Sequence, residues 1–559
     1  MKLSVYLGLY LNLVPTIMPL AQFMRKLFFY LIVLSQITLA QTGSYFITNY
    51  SPGQMGNAGD QNRGVTQDRD GRIYVANLNG IILNDGSSWR IIRITNDNSA
   101  ISIESDKHGK VYVGSVGEFG YVDKNQKGAL HYKSLSEQLP NEVRDFEYVW
   151  SVQIPDEDNV FFCSNERILW YYKNKYKTSF KPENRFHTFF TVNQILLVRD
   201  EGVGLKFLQN GKLVSVMSRL DFSNIKVRAI LNTGPNKFTI VTQENGLFAM
   251  PYIDSTRSFG SPERIFSAAD DWLINNGAYS ATKINANLYV FGSNEDGIIL
   301  TDEHFNIVKR INTGSGLFDN GINSIYKDLS GNIWLSLRTG LTHIEINSPI
   351  TEWTKSNGIK GSVESTINYL NRIYIATDKG VQYLDSNTNN FVGTEIKEQC
   401  FDMAVQNNRL LVATSSGLSE INNNSVSTLL TDEYGFYTLA VNTEDPNTVY
   451  LGSENGFYVY EFKNRKPELI KHIPDAGIVR SICQIGKHVL LGTAGNGVVW
   501  VDKNGNKLMM LSEKDGLPSI HSENFVFNMN GNFIIGTDDG FFEFFPDGNT
   551  KLSLSLIHI

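Results

Sequence analysis

One short unit recurs along this chain, and the repetition limits the available folds more than any other feature. The copy "SGNIWLSLRTGLTHIEI" at residues 330–346 contains a polar turn, a strand, a turn with glycine and a second strand. Twelve copies align on the residue that follows the first turn: Tyr74, Tyr112, Phe162, Leu196, Thr239, Tyr289, Trp334, Tyr374, Leu411, Tyr450, Leu490 and Ile534. The first and last of these lie 460 residues apart over eleven steps. The mean period of about 42 residues matches a four-stranded propeller blade.

The residues inside each unit favour strands over helices. Apolar positions are β-branched or aromatic and alternate, as at Ile73 and Val75, and glycines fall at the turns. For the copy quoted above we predict an inner strand, a second and a third strand, and an outer edge strand, over residues 322–328, 333–337, 341–346 and around 351–355. Tryptophans at the outer position, Trp89 and Trp353, are predicted to pack between neighbouring blades.

The fold prediction is therefore all-β, with two tandem β-propellers of four-stranded antiparallel blades. Twelve units exceed the four to eight blades of one ring. The spacing loosens after Tyr112 and after Thr239, where weakened blades could be hidden, and this leads us to expect seven blades in each ring. We place the boundary at the Gly-rich stretch 313–320, which gives a first propeller at 41–315 and a second at 316–546.

The two ends of the chain are predicted to lie outside the propellers. Residues 1–40 contain an apolar segment and, from Met24, a complete export signal that ends at Ala40, so the true start could be Met24. After Ala40 no apolar run is long enough to span a bilayer. The chain ends in "KLSLSLIHI", which alternates like the first strand of a further domain, and we assign 547–559 to the start of that domain.

Residues 328–341, "DLSGNIWLSLRTGL", resemble the two-component regulator propeller repeat. That repeat occurs in the extracellular sensor regions of hybrid two-component systems and of related Y_Y_Y-domain transcription regulators of Bacteroidetes. The resemblance extends over about residues 45–546. It implies a sensor that detects a nutrient, for which the family suggests a glycan breakdown product, and a Y_Y_Y domain, a membrane helix and an output module after the propellers. None of those modules is present here, so we expect a fragment, a truncated product or a protein that signals through a separate partner.

Composition and motifs give little support to other functions. The formal net charge of -7 offers no basic footprint for nucleic acid. No GxSxG, HExxH or Walker-type loop occurs, and neither the nine histidines nor the three cysteines have metal-ligand spacing, so no catalytic residue, metal or cofactor is predicted. A secreted propeller lyase or hydrolase and a protein-binding scaffold remain as alternatives.

Polar and aromatic residues in the segments that lead into inner strands are the candidate ligand-binding residues. Such segments meet at the mouth of a propeller's channel, where amides, guanidinium groups and rings suit a polyhydroxylated or anionic ligand. The alternative for each residue is that it ties blades together. The candidates are Arg144, Asp145, Trp150, Arg228, Asp271, Trp272, Tyr279, Asn320, Asn323, Arg480, His521 and Asn524.

The sequence therefore predicts a periplasmic or extracellular sensing region. Its partner would be a small molecule or an oligosaccharide, and a homodimer is one geometry through which it could signal. Contact with the membrane would come only through the N-terminal signal or a missing C-terminal span, which would anchor the full-length form in the inner membrane.

Overall fold

The computed structural model describes residues 43–216, 220, 222–422, 425–546 and 553–554. The predicted export signal and most of 547–559 lie outside this range. Two compact units make up the chain, which we call the first propeller (Ser44–Glu352) and the second propeller (Trp353 onward). Within the described residues both consist of small antiparallel sheets, so the all-β propeller fold is confirmed.

Blades one to four of the first propeller each contain four consecutive strands, given from the inner to the outer edge. Blade one is β2 (Asn62–Gln67), β3 (Ile73–Asn77), β4 (Gly80–Asn84) and β5 (Trp89–Ile92). Blade two is β6 (Ala100–Ser105), β7 (Val111–Ser115), β8 (Phe119–Lys124) and β9 (Leu130–Ser134). Blade three is β10 (Ser151–Gln153), β11 (Asn159–Cys163), β12 (Ile168–Tyr172) and β13 (Lys175–Phe180). Blade four is β14 (Phe186–Val192), β15 (Ile195–Asp200), β16 (Gly204–Gln209) and β17 (Lys212–Ser215).

Blades five to seven show two departures from this plan. Blade five is β18 (Val227–Gly234), β19 (Lys237–Thr242) and β20 (Leu247–Ile253), with its outer edge shared by β21 (Ser258–Phe259) and β22 (Glu263–Ile265). Blade six is β23 (Ala278–Asn285), β24 (Leu288–Ser293), β25 (Ile298–Thr301) and β26 (Ile307–Ile311). Blade seven is β27 (Ile322–Lys327), β28 (Ile333–Leu337) and β29 (Leu341–Ile344), and its outer strand is the N-terminal β1 (Ile47–Tyr50).

The second propeller contains five sheets in its described residues. Their strands are β30 (Val363–Tyr369), β31 (Arg372–Thr377), β32 (Gly380–Asp385) and β33 (Asn390–Gly393); β34 (Cys400–Gln406), β35 (Arg409–Thr414), β36 (Gly417–Asn422) and β37 (Ser425–Thr431); β38 (Thr438–Val441), β39 (Thr448–Ser453), β40 (Gly456–Lys463) and β41 (Lys466–Ile473); β42 (Ile478–Ile485), β43 (His488–Ala494), β44 (Val498–Asp502) and β45 (Lys507–Leu511); β46 (Phe525–Met529), β47 (Asn532–Thr537), β48 (Gly540–Phe544) and β49 (Ser553–Leu554). Seven blades in each ring stays a prediction.

Helical structure is sparse in the described residues. The α-helix α1 (Asp270–Asn275) precedes blade six. Single 3-10 turns occupy Thr95–Asp97, Ser136–Gln138, Asn141–Val143, Thr313–Ser315, Lys355–Asn357, Pro474–Ala476 and Glu513–Asp515.

Each of the twelve repeat copies forms one sheet, and its aligned residue lies in the second strand of that sheet. The loose spacing after Tyr112 comes from the loop with its two 3-10 turns that precedes blade three. The loose spacing after Thr239 comes from the split edge strand of blade five and from α1. Within the described residues neither stretch forms a further sheet, so no weakened blade is hidden there.

The boundary between the propellers lies about 40 residues later than the Gly-rich stretch suggested. Blade seven follows that stretch, yet belongs to the first propeller because β1 pairs with β29, Ile47 opposite Ile344 and Tyr50 opposite Leu341. The predicted outer strand around 351–355 is therefore wrong for this blade, since β1 fills the position.

At the other end of the chain, the described residues of 547–559 also differ from the prediction. β49 pairs with β48, so these two residues extend the fifth sheet of the second propeller and do not begin a separate domain.

Apolar cores lie between the faces of neighbouring blades. Tyr74 and Ile81 of blade one share a core with Ile103 and Val113 of blade two. The middle strands are buried on both faces, as in β3, whereas outer strands such as β9 alternate with exposed residues. Burial thus increases from the outer strand to the middle strands, which explains why the second strand of every repeat is apolar.

The aspartate of the D-x-x-G turn has a structural role. Oδ1 of Asp328 accepts hydrogen bonds from the backbone N–H groups of Ser330 and Asn332, both at 2.9 Å. Gly331 donates to the Asp328 carbonyl at 3.0 Å and has φ 83°, a conformation that glycine adopts without strain. This is the geometry of a hairpin turn in which the aspartate side chain accepts backbone N–H bonds.

Candidate functional site

The candidate site is a cavity of about 470 Å³ at the centre of the first propeller, which we call the central cavity. All seven inner strands, or the residues directly before them, contribute to it. Its lining is Arg63, Ile101, Trp150, Ser151, Asn165, Arg185, His187, Thr188, Phe189, Phe190, Arg228, Tyr279, Ser280 and Asn323. A volume of this size suits a small organic ligand.

A β-bulge near the start of the inner strand supplies one lining residue from each of six blades. In β2 the register shifts between Asn62 and Gly64, so Arg63 is the extra residue. The same shift occurs in the inner strands of five other blades and leaves one extra residue in each: Ile101, His187, Arg228, Tyr279 and Asn323. In blade three, Trp150 directly precedes β10. A bulge redirects a side chain out of the regular alternation, which accounts for the ring of cavity residues.

Two aromatic rings in the lining are held by defined contacts. Trp150 is 39% exposed, stacks on Tyr148 at 5.1 Å between ring centroids, and donates from Nε1 to Oδ1 of Asn165 at 2.6 Å. The Tyr279 ring lies 4.4 Å from the guanidinium carbon of Arg228. The orientation of Trp150 is therefore fixed, the guanidinium carbon of Arg63 lies 5.6 Å from its ring centroid, and part of the ring stays accessible to a ligand.

The lining carries three guanidinium groups and no carboxylate. Arg63 donates to Oε1 of Gln61 at 3.2 Å, Arg185 donates to Oδ1 of Asn165 at 3.2 Å, and Arg228 donates from Nε to Oε1 of Gln243 at 3.0 Å. All three partners are neutral amides, and within the described residues none of the three arginines forms an ion pair. The cavity is therefore cationic in a chain whose formal net charge is -7.

Several buried polar atoms of the lining have no hydrogen-bond partner among the described residues. They are Nε of Arg63, Nδ1 of His187 and Oγ1 of Thr188. Leaving a buried donor or acceptor unpaired costs free energy, and water or a ligand in the cavity would remove that cost.

His187 is held in its neutral form. Burial, followed by the nearby positive charges of Arg199 and Arg228, lowers the pKa of its imidazole from 6.5 to about 4. At neutral pH the ring therefore has one nitrogen able to accept a hydrogen bond and one able to donate. The positive charge of the cavity comes from arginine alone.

This low pKa makes the stability of the chain depend on pH. Between pH 6.5 and 4 the unfolded chain binds a proton at His187 and the folded chain does not, so stability falls as the pH drops through this window. Glutamine takes up no proton, so we expect the unfolding free energy of His187→Gln to fall by about 2 kcal/mol less than that of the parent between pH 7 and pH 4.5. This figure is reduced for the partial exposure of the ring. Urea unfolding at pH 7 and pH 4.5 measures it. The control His304→Gln, at an exposed turn, should keep the parent profile, and equal pH slopes for His187→Gln and the parent would contradict the expectation.

The structure brings four of the twelve candidate residues together in the central cavity: Trp150, Arg228, Tyr279 and Asn323. Asn323 also donates to the Asn62 carbonyl at 2.7 Å, which joins blade seven to blade one.

Five other candidates belong to the first propeller but not to this lining. Arg144 donates to the backbone carbonyls of its own loop, and Asp145 forms ion pairs with Arg167 and Lys181. Asp271 is exposed on α1.

Trp272 and Asn320 support the structure around blade six. Trp272 is buried in the core, and its Nε1 donates to Asp296 at 2.8 Å. Asn320 accepts a hydrogen bond from the backbone of Thr313 at 2.8 Å.

The last three candidates lie in the second propeller. Arg480 occupies a bulge of β42, with its guanidinium carbon 4.0 Å from the Tyr437 ring and Nε 3.7 Å from Glu523. His521 is exposed, whereas Asn524 is buried and donates to the Ser522 carbonyl at 2.9 Å. Here the cation has a carboxylate partner, unlike those of the central cavity.

Sequence reasoning missed Arg63, Arg185 and His187. Each lies in or next to a segment that leads into an inner strand, "QNRGV" or "NRFHTF". The signal that would have found them is the position near the start of the inner strand, where the bulge occurs.

A second cavity of the first propeller differs in charge. It has a volume of about 420 Å³ and lies at the turns of blades one and two. Its lining mixes carboxylates with cations, and Arg72 forms ion pairs of 2.6 Å with Asp68 and with Asp70. We therefore take the central cavity as the site.

No group of three or more histidine, cysteine, aspartate or glutamate side chains within the described residues is placed to hold a metal ion. In that same part of the chain, no helix is long and apolar enough to cross a membrane.

Comparison with families and with curated proteins gave no match: no family model fits the chain, and no curated protein is similar to it. Solved structures are similar. The extracellular domain of BT3049 from B. thetaiotaomicron, described as a hybrid two component system, has a TM-score of 0.64 and 16% identity, covering 91% of this chain and 72% of that one.

Two further structures match with TM-scores of 0.41, too low to support an argument. One is the extracellular domain of BT4673 from B. thetaiotaomicron, 15% identical over 90% of this chain and 78% of that one. The other is a streptogramin B lyase, 13% identical over 54% of this chain and 97% of that one. The likeness to BT3049 lies in the fold. This chain thus shares its propeller fold with that extracellular domain.

Proposed function

We propose that this chain is an exported ligand-sensing region of a signal-transduction or transcription regulator, and that its ligand binds in the central cavity. The observation that carries the proposal is the ring of bulge residues, which turns one side chain from almost every blade toward one space. The fold likeness to the extracellular domain of a hybrid two component system supports a sensory role.

The ligand is proposed to be an oligosaccharide derived from a nutrient glycan. The exposed part of the Trp150 ring suits contact with a sugar ring, and Ser151, Ser280 and Asn323 supply hydroxyl and amide groups for sugar hydroxyls. A sensor must bind its ligand with different affinity in two arrangements, and two geometries of a homodimer would provide them. The proposed location is the periplasm or the cell surface.

A secreted propeller lyase or hydrolase is the second candidate. Glycoside hydrolysis requires a pair of carboxyl groups across the bond that breaks, and the lining of the central cavity contains none. This observation argues against a hydrolase, whereas a lyase does not need such a pair and is tested by the analysis for cleavage products below.

A thermal-shift screen of the chain against an oligosaccharide panel, with the mixtures analysed for cleavage, tests the proposal. A ligand at 100 times its Kd should stabilise the folded state by about 2.7 kcal/mol. We expect a dose-dependent shift with intact sugar, and the shift should be lost in Trp150→Ala but kept in the matched variant Trp353→Ala. Cleavage products would favour the enzyme, and no shift with any sugar would overturn the proposed ligand.

A further inference from the structure

The charges of the central cavity restrict its ligand more narrowly than the proposed function does. Arg63, Arg185 and Arg228 line it together, no lining residue is acidic, and the chain around them carries a formal net charge of -7. Arginines in an acidic protein usually meet carboxylates, as Arg167 does with Asp145 in blade three. The cluster in the cavity lacks such partners within the described residues.

The hydrogen bonds of these arginines leave donors free for a ligand. A guanidinium group has five N–H donors in a planar fork that matches the two oxygens of an acidic group. Arg185 uses Nη2 on Asn165, and Arg228 uses Nε and Nη2 on the single oxygen Oε1 of Gln243. Arg228 also interacts with the Tyr279 hydroxyl and with the nearby charge of Glu244. Nε of Arg63 and the other N–H groups of Arg185, in contrast, have no partner among the described residues.

Arg228 is fixed in position before a ligand arrives. Gln243 holds one edge of its guanidinium group, and the ring of Tyr279 lies 4.4 Å from its carbon. Burial lowers its pKa, yet arginine stays protonated at any physiological pH. Removing the guanidinium charge from water costs free energy, and a negative group on a ligand would offset that cost. Because Arg228 is already oriented, little further ordering would be needed on binding.

The rest of the lining suits the neutral part of such a ligand. The Trp150 ring is 39% exposed and can contact the sugar. His187, in its neutral form, and Thr188 have buried polar atoms without a partner among the described residues. Hydroxyl groups of a sugar donate and accept hydrogen bonds, and therefore suit both.

We infer that the ligand of the central cavity is an acidic oligosaccharide, one that carries carboxylate or sulfate groups, and that Arg63, Arg185 and Arg228 recognise those groups. This inference rests on the proposed function, since it specifies the sugar that the sensor binds. Uronic acids and sulfated sugars share the required chemistry.

The test is isothermal titration of the whole chain with two matched pairs of sugars. One pair is digalacturonate and its neutral methyl diester, and the other is sulfated galactobiose and galactobiose. We expect the acidic member of at least one pair to bind at least about 10-fold more tightly than its neutral partner, as charge-assisted hydrogen bonds imply. The pair that shows the preference distinguishes a carboxylate from a sulfate ligand.

Variants of the chain make the test specific to the arginines. Arg228→Gln and, separately, Arg185→Gln should weaken binding of the acidic sugar about 10- to 100-fold and weaken binding of its neutral partner by a clearly smaller factor. The control Arg93→Gln removes an arginine that is 72% exposed and paired with Asp97, and it should bind like the parent. Circular dichroism confirms that each variant is folded.

Three results would overturn the inference. Neutral sugars could bind as tightly as acidic ones, or both arginine variants could bind the acidic sugar like the parent. In either case the proposed function would stand, because a sugar would still bind. If neither pair bound at all, the inference would fall, while the proposed function would be decided separately by the oligosaccharide panel described above.

Discussion

A version of the chain that starts at Ser51 is expected to lose about 5 kcal/mol of the stability of its first propeller, because it lacks β1. Tyr45, Ile47 and Tyr50 of the removed segment are partly buried against apolar cores, and each contributes a share of the about 1.5–3 kcal/mol that full burial of such a side chain gives. The loss also exposes the edge of β29, which β1 covers along four residue pairs. An ordinary domain has only about 5–15 kcal/mol in total, so the ring should open or unfold.

Thermal unfolding followed by circular dichroism, compared with a version that starts at Gly43, measures this loss. The control Thr48→Ala alters an exposed position of the same strand and should change stability by less than about 0.5 kcal/mol. An unchanged transition after removal of β1 would show that the ring does not depend on closure by the N-terminal strand.

Trp334→Ala is expected to destabilise the first propeller by about 3–5 kcal/mol, the usual cost of removing a buried indole. Trp334 is 7% exposed and stacks on Tyr50 at 5.7 Å, while Tyr50 also meets Trp89 edge to face at 5.0 Å. Trp334 lies in β28 of blade seven, Tyr50 in β1 and Trp89 in β5 of blade one, so the three rings join blade seven to blade one. The substitution therefore leaves a cavity at the seam of the ring.

Denaturant unfolding followed by circular dichroism tests this expectation without relying on tryptophan fluorescence. Leu329→Ala, at a turn of the same blade and 71% exposed, should stay within about 0.5 kcal/mol of the parent. A cost below about 1 kcal/mol for Trp334→Ala would mean that the ring trio does not hold the seam together.

The period of the repeat was enough to predict the sheets, because every blade must bury its middle strands between two neighbours. The aligned residues, from Tyr74 to Ile534, all lie in second strands. The packing prediction for Trp89 agrees with its place in the core at the seam. The same regularity prevents the last blade of the first propeller from being identified in the sequence, because its repeat copy has the same pattern as the others.

Closure of the first propeller depends on the pairing of β1 with β29, which the local sequence of either strand does not reveal. Tyr50 lies opposite Leu341, nearly 300 residues away along the chain. The Gly-rich stretch 313–320, which suggested a boundary, is a 3-10 turn and loop between two blades of one propeller. Glycine marks a turn there, and a turn between blades has the same composition as a turn between domains.

The central cavity could be predicted only in part. Trp150, Arg228, Tyr279 and Asn323 stood out because aromatic and polar residues lead into inner strands. Which of several neighbouring residues turns toward the cavity depends on the register of the bulge, a property of the paired strands and not of one segment. Asp145 and Trp272 were equally plausible by composition, yet they form an ion pair and a core contact instead.

The cationic character of the cavity is likewise invisible in the composition. Arg63, Arg185 and Arg228 come from three different blades of a chain with a formal net charge of -7. Only the ring brings them into one space, and only the three-dimensional arrangement shows that their partners are amides.

The central claim is that the ligand binds in the cavity formed by the bulge residues of the first propeller. A crystal structure of the chain with digalacturonate, determined alongside crystals without it, tests this claim most directly. We expect difference density between the Trp150 ring and the guanidinium group of Arg228, with the acidic groups facing the arginines. Density for the sugar at another place, such as beside Arg480 in the second propeller, with only water in the central cavity, would contradict the account.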